Sequence, residues 1–175
     1  IWLLTSRNRY ADSMIEMELE GIRLELPTNN PVLMLREQKG ARRIMPIYIG
    51  APEASSIHYA LEGLQPDRPL THDLLINVAE GLDAQPVKLV ITKVEENTYF
   101  ADLHFLQRGK VIAISCRPSD GVAVAVRSGI PIYAEEDLLD AVGKVVPATA
   151  PDNAEEIIDD FRDFIDSIKP EDFQS

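Results

Sequence analysis

VKLVITKVEENTYFADLHFLQRGKVIAISCRPSDGVAVAVRSGIPIY, residues 87–133, is the stretch that decides the fold. VKLVITKVE (87–95), TYFADLHFLQ (98–107) and KVIAISC (110–116) are β-branched and aromatic runs separated by turns around Asn97 and Gly109, which predicts an antiparallel meander. Ser119 then offers a cap for a helix over DGVAVAVRS, Gly129 stands where that helix stops, and IPIY (130–133) returns as a short strand. Valines favour strands, so the helix rests on its start and stop signals.

Working back toward the N-terminus, residues 15–26 alternate apolar and polar, with a phase shift at Gly21 that predicts a bulged strand. PTNNP (27–31) is a turn, and VLMLRE with RRIMPIYIG forms a hairpin around EQKGA. APEASSIHYALEG (51–63) reads as a helix, with Pro52 at its first position and Glu53 beside its positive end. THDLLINVAEGL (71–82) reads as a second helix, with Thr71 as cap and an apolar stripe of Leu74, Leu75, Val78, Ala79 and Leu82. Strands leading to Arg68-Pro69-Leu70-Thr71-His72-Asp73, and later to Arg117-Pro118-Ser119-Asp120, suggest two similar β-then-α halves. The expected class is α+β: mixed, mostly antiparallel β-sheets with helices packed against them.

Four segments follow from this reading. Residues 1–13 form a leader given no structure, 14–143 the folded domain, 144–152 a linker, and 153–175 an acidic amphipathic helix and tail. The last helix aligns Ile157, Phe161, Phe164, Ile165 and Ile168 on one face, which is expected to dock on the body or on a neighbouring subunit. Glu135 to Val142 is expected as another short helix.

The chain has 175 residues, 45% of them hydrophobic, which suffices for one core. No apolar run is long enough for a membrane span, and a cytoplasmic location is expected. Cys116 is the only cysteine, so an intramolecular disulfide and a multi-cysteine zinc site are excluded. As a lone cysteine ending a strand it reads as core filler. A formal charge of -12 weighs against a general nucleic-acid binder. Residues 151–175, however, hold nine acids against two bases, so more than half of that charge sits in the tail.

There is no glycine-rich phosphate loop, HExxH or GxSxG. What remains is polar clusters at helix starts, where unpaired N–H groups and the helix dipole can hold a phosphate. Arg68 and Arg117, each before such a start, would make a phosphate clamp, with Ser119 beside them. His72 in a first helical turn is biased toward neutral imidazole, suited to proton transfer. Asp73 and Asp120 can hold a cation or orient water. Caps and dipole partners explain the same residues structurally. Asp102 and His104 share a strand face and read as solvated, and His58 reads as structural. Arg36, Lys39, Arg42 and Arg43 surround the first hairpin turn, a solvated turn or a contact to nucleic-acid backbone.

NNPVLMLRE, MPIYIGAPEASSIHYALEG, RPLTHDLL, TYFADLHF and CRPSDGVAVAVRSGIPIY, in this order across residues 14–143, resemble the bifunctional nuclease (BFN) domain family, particularly its compact actinobacterial members. The tail ending in IKPEDF resembles those members too. The resemblance implies an α+β fold with mixed sheets, a homo-oligomer, and nuclease activity toward DNA and RNA in some relatives. The positions carried over are Glu53, His72, Asp73, Arg117, Ser119 and Asp120, with Glu53, Asp73 and Asp120 as metal-site residues for Mg2+ or Mn2+. The leader and the acidic balance depart from the family. The alternative from another class is a non-catalytic oligomeric interaction module whose acidic tail recruits a partner.

Overall fold

A computed structural model describes residues 14–145; the expected leader and the C-terminal helix lie outside the described residues. The chain runs β1 (Met14–Glu25), β2 (Asn30–Glu37), β3 (Ile44–Tyr48), α1 (Ala51–Leu61), α2 (Thr71–Gly81), β4 (Ala84–Glu95), β5 (Thr98–Gln107), β6 (Lys110–Cys116), α3 (Pro118–Ser128), β7 (Ile132–Glu135) and α4 (Glu136–Val142). The α+β class and its mixed sheet are as the sequence predicts. One seven-stranded sheet holds all the strands among the described residues, in the order β3-β2-β1-β7-β4-β5-β6.

Two antiparallel meanders, β1-β2-β3 and β4-β5-β6, flank β7, which pairs antiparallel with β1 and parallel with β4. The register shift between Leu19 and Gly21 is the expected bulge. Each meander runs directly into a helix, α1 or α3, and these two helices pack on each other. The topological repeat therefore pairs the α1 start with the α3 start. The α2 corner, which the sequence echo matched to α3, is an additional element between the two halves.

The core lies between the sheet and α1 and α3. Leu33, Leu35, Met45, Ile57, Leu89 and Ile91 are fully buried in it, together with Val122 to Ala125 of α3. That burial explains why a valine-rich segment is helical: packing outweighs the strand preference of valine. Gly121 lets α3 lie close against the sheet, because a Cβ there would stand 2.3 Å from Leu89 Cδ1 and 3.2 Å from Cys116 Sγ. Gly121→Ala is expected to destabilise the protein by about 2 kcal/mol through overpacking, measured by urea denaturation. Gly129 ends α3 in the left-handed region, at φ 64°.

The helix starts depart slightly from the sequence reading. Leu70 and Arg117, not Thr71 and Ser119, hold the N-cap positions. Asp73 reaches back to accept the Leu70 N–H at 2.9 Å, which moves the α2 boundary one residue upstream. Pro118 takes the first helical position of α3, where its missing N–H costs nothing. In α1 that position belongs to Ala51, with Pro52 second.

Candidate functional site at three helix starts

The first turns of α1, α2 and α3 converge, so the two corners singled out in the sequence meet. Arg117 Nε donates to Asp120 Oδ2 at 2.7 Å, and its Nη2 donates to Asp120 Oδ1 at 3.0 Å and to Glu53 Oε1 at 2.7 Å. Asp120 Oδ1 lies 3.1 Å from His72 Nε2. His72 Nδ1 in turn lies 2.8 Å from the buried Ser56 Oγ. Behind them, Arg127 Nη2 donates to Ser56 Oγ at 3.0 Å and its Nε donates to Asp73 Oδ1 at 2.7 Å. One continuous chain of contacts thus runs Glu53, Arg117, Asp120, His72, Ser56, Arg127, Asp73.

The partners assign the His72 tautomer. A carboxylate only accepts, so Nε2 carries the hydrogen that faces Asp120. Ser56 accepts from Arg127 and has its own hydrogen left for Nδ1. Neutral His72 is therefore bonded on both ring nitrogens. The Ser56–His72–Asp120 order resembles a hydrolase triad, but Ser56 is 8% exposed and bonded by Arg127, so it supports His72 instead of meeting a substrate.

Burial pushes the Asp120 carboxyl upward, and the hydrogen bonds from Arg117 and His72 outweigh it, leaving the group below its ordinary 3.8. The bonds to Asp120 and Glu53 raise Arg117, which stays charged throughout. The Arg117 side chain is 66% exposed, and its Nη1 makes no hydrogen bond with a described residue. That nitrogen is left for a ligand oxygen. Cys116 stands nearby, but burial, then Asp120, push its thiol up to about 11, so at neutral pH it is no nucleophile.

Not every expected residue joins. Arg68 is exposed in the loop before α2 and has no ion pair or hydrogen bond with a described residue. The arginine that pairs with Asp73 is Arg127. Ser119 is buried beside Arg117 and makes no side-chain cap bond. The basic turn lies at the far end of β3 from α1, with its arginines neutralised: Arg36 pairs with Glu20, Arg42 with Glu18 at 2.7 Å, and Arg43 with Glu37 at 2.9 Å and with Asp140. Asp102 and His104 share a half-buried face of β5 without bonding each other.

The residues present do not fit a divalent cation held by Glu53, Asp73 and Asp120 together. Asp73 is committed to Arg127 and the Leu70 N–H, while Glu53 and Asp120 are committed to Arg117. Among the described residues no group of three or more His, Cys, Asp or Glu side chains gathers as a metal site.

Two cavities open on either side of Arg117. A groove of about 720 Å³ between α2 and the β5–β6 hairpin reaches His72, Asp120 and Arg117, with walls that include Leu75, Val78 and Ile114. A second cleft, of about 540 Å³, lies between the end of β3, the β4–β5 turn and the start of α3.

The family model of the bifunctional nuclease domain matches residues 33–147, which include every member of the converging cluster. An uncharacterized protein of Mycobacterium tuberculosis is 41% identical over 167 residues, covering 93% of this chain and 99% of that protein. Bifunctional nuclease 1 of Arabidopsis thaliana is 24% identical over 112 residues, covering 62% of this chain and 34% of the plant protein. Bifunctional nuclease 2 of Oryza sativa is 27% identical over 124 residues, covering 67% of this chain and 38% of its own length. With a domain match across most of its length and a full-length relative at this identity, the chain belongs to the bifunctional nuclease domain family.

Proposed function

We propose that this protein hydrolyses phosphodiester bonds in DNA and RNA at the Arg117–Asp120–His72 cluster. The observation that carries the reading is the 3.1 Å contact joining His72 on α2 to Asp120 on α3, beside a guanidinium with an unused N–H edge. Arg117 Nη1 binds a phosphate oxygen and stabilises charge as it builds. Asp120, held ionised, orients the attacking water and takes its proton, while the His72 Nε2–H bonded to it orients the carboxylate. Glu53 holds the guanidinium in place. The plant proteins named bifunctional nucleases share this domain, which supports the same reading.

A divalent cation, Mg2+ or Mn2+, enters this scheme only by taking Glu53 and Asp120 from Arg117. Cleavage of labelled single-stranded DNA and RNA by the purified chain is the test, run with EDTA and with each cation. Cleavage that persists in EDTA is the expected result. Loss in EDTA with recovery in Mg2+ or Mn2+ would mean that the carboxylates exchange Arg117 for metal. No cleavage under any condition would remove the reading. A non-catalytic interaction module is favoured instead by the pairing of Arg36, Arg42, Arg43 and Arg117 with carboxylates, and that last outcome would support it.

Self-association belongs to the same proposal. The α2 stripe is not covered: Leu74, Leu75, Val78 and Leu82 are exposed, as are Leu106, Val111, Ile112 and Ile114 on the β5–β6 hairpin. Together they present apolar surface on the order of 600 Å², the size that marks association sites. The neighbouring edge also invites pairing. β6 is an edge strand with no charge or proline after Lys110, whereas the opposite edge, β3, carries Pro46 and is bridged at Ile44 by Lys144. A second copy laid on β6 and α2 would cover both. Light scattering after size exclusion is expected to show an oligomer, converted to monomer by Ile112→Lys; a wild-type monomer at tens of micromolar would contradict this. Among the described residues no helix is long and apolar enough to cross a membrane, and a cytoplasmic location, where both polymers occur, is part of the proposal.

A further inference from the structure

We propose that the cleft on the far side of Arg117 is a nucleoside subsite, which takes a base of single-stranded nucleic acid while Arg117 holds the adjoining phosphate. This use rests on the nuclease reading, but the binding itself is measured without cleavage. At about 540 Å³ the cleft is within the roughly 300–1,000 Å³ of small-molecule sites. Tyr48, Asn97, Thr98, Tyr99, Ser119 and Arg117 line it. Five of these six are uncharged, two are aromatic, and Asn97, Thr98, Tyr99 and Ser119 offer neutral hydrogen-bonding groups, while the Tyr48 hydroxyl donates to Glu25 at 2.6 Å and leaves its ring for stacking. That chemistry suits a flat neutral heterocycle with donors and acceptors on its edge better than a polyanion or an aliphatic chain.

A second observation points to a ligand. Ser119 is 5% exposed, yet its hydroxyl has no hydrogen bond with any described residue, and the residue lines the cleft. The Ser119 oxygen is not sealed from solvent, so its unused donor and acceptor sites can be taken by a ligand atom. Tyr48 on edge strand β3 and the β4–β5 turn both line the cleft, although three strands separate β3 from β4 in the sheet order. Arg117 borders both this cleft and the groove at Asp120 and His72, so a base held here presents its phosphate to the cluster.

Titration of the full chain with adenosine 5′-monophosphate and with ribose 5-phosphate, followed by ligand-observed NMR, tests the subsite. The nucleotide is expected to bind saturably, and ribose 5-phosphate at least ~10-fold more weakly, because it lacks the base. Tyr48→Ala, at an exposed position, and Ser119→Ala are each expected to weaken nucleotide binding about tenfold. Absence of saturable binding, equal affinity for ribose 5-phosphate, or wild-type affinity in both variants would overturn the subsite. Nucleotide binding by a protein that cleaves nothing would keep the subsite and remove the nuclease reading, whereas cleavage without nucleotide binding would do the reverse.

Discussion

Replacing Arg127 by methionine is expected to destabilise the protein by about 3 kcal/mol at pH 7, the low end for breaking a buried ion pair. Arg127 is 10% exposed and joins three helices: it donates to Asp73 on α2, to Ser56 on α1 and to the Ala123 carbonyl of its own helix. Methionine fills the apolar stem but leaves Asp73 with only the Leu70 N–H and removes the donor that fixes Ser56. The pH dependence identifies the cause. Burial raises the Asp73 carboxyl, and the bonds from Arg127 and the Leu70 N–H outweigh it, so its folded value lies below the ordinary 3.8. A carboxyl depressed in this way contributes stability above its unfolded pKa and loses it as pH falls through the folded value. Urea denaturation should therefore show the full difference at pH 7 and a shrinking one below about pH 4. A difference unchanged at pH 3 would assign the loss to packing of the arginine stem, and a difference under about 0.5 kcal/mol at pH 7 would mean the contact is idle.

The second large effect is on activity. His72→Ala is expected to lower kcat on single-stranded DNA by roughly 100-fold, because Asp120, the proton acceptor, loses the N–H that orients it. His72→Gln separates chemistry from support, because an amide can still bond Ser56 and Asp120 but cannot take a proton near neutral pH. Equal losses in both variants, with melting of the glutamine form close to wild type, would assign proton transfer to the pair. Recovery of activity in His72→Gln would make His72 a positioning residue for Asp120. Arg117→Ala, at a 66% exposed side chain, is expected to raise KM as well as lower kcat, because its Nη1 edge is offered to substrate before reaction.

The meanders, the bulge at Gly21, the first hairpin and the α3–β7 return were legible because strand alternation, turn residues and the glycine stop act locally. The partners of β7 were not, since four residues carry no mark of which strands they will separate. The polar residues at the helix starts were legible as a group, and their meeting was not. Ser56 and Arg127 were missed for a definable reason. Ser56 lies three residues after Glu53, and Arg127 seven after Asp120, so each shares a helix face with a residue already singled out. Helical spacing marks such faces, but not which faces will meet. Arg68 was singled out because its Arg-Pro corner echoes Arg117-Pro118, an echo that the topology assigns to α1 and α3 instead.

The most direct measurement is cleavage of a 5′-labelled single-stranded oligonucleotide by wild type and Asp120→Ala, expressed and purified in parallel so that any contaminating nuclease is common to both. Among the described residues Asp120 is the one side chain bonded to both Arg117 and His72. The account predicts cleavage by wild type and only background cleavage by a folded Asp120→Ala. Equal rates in the two preparations would contradict it.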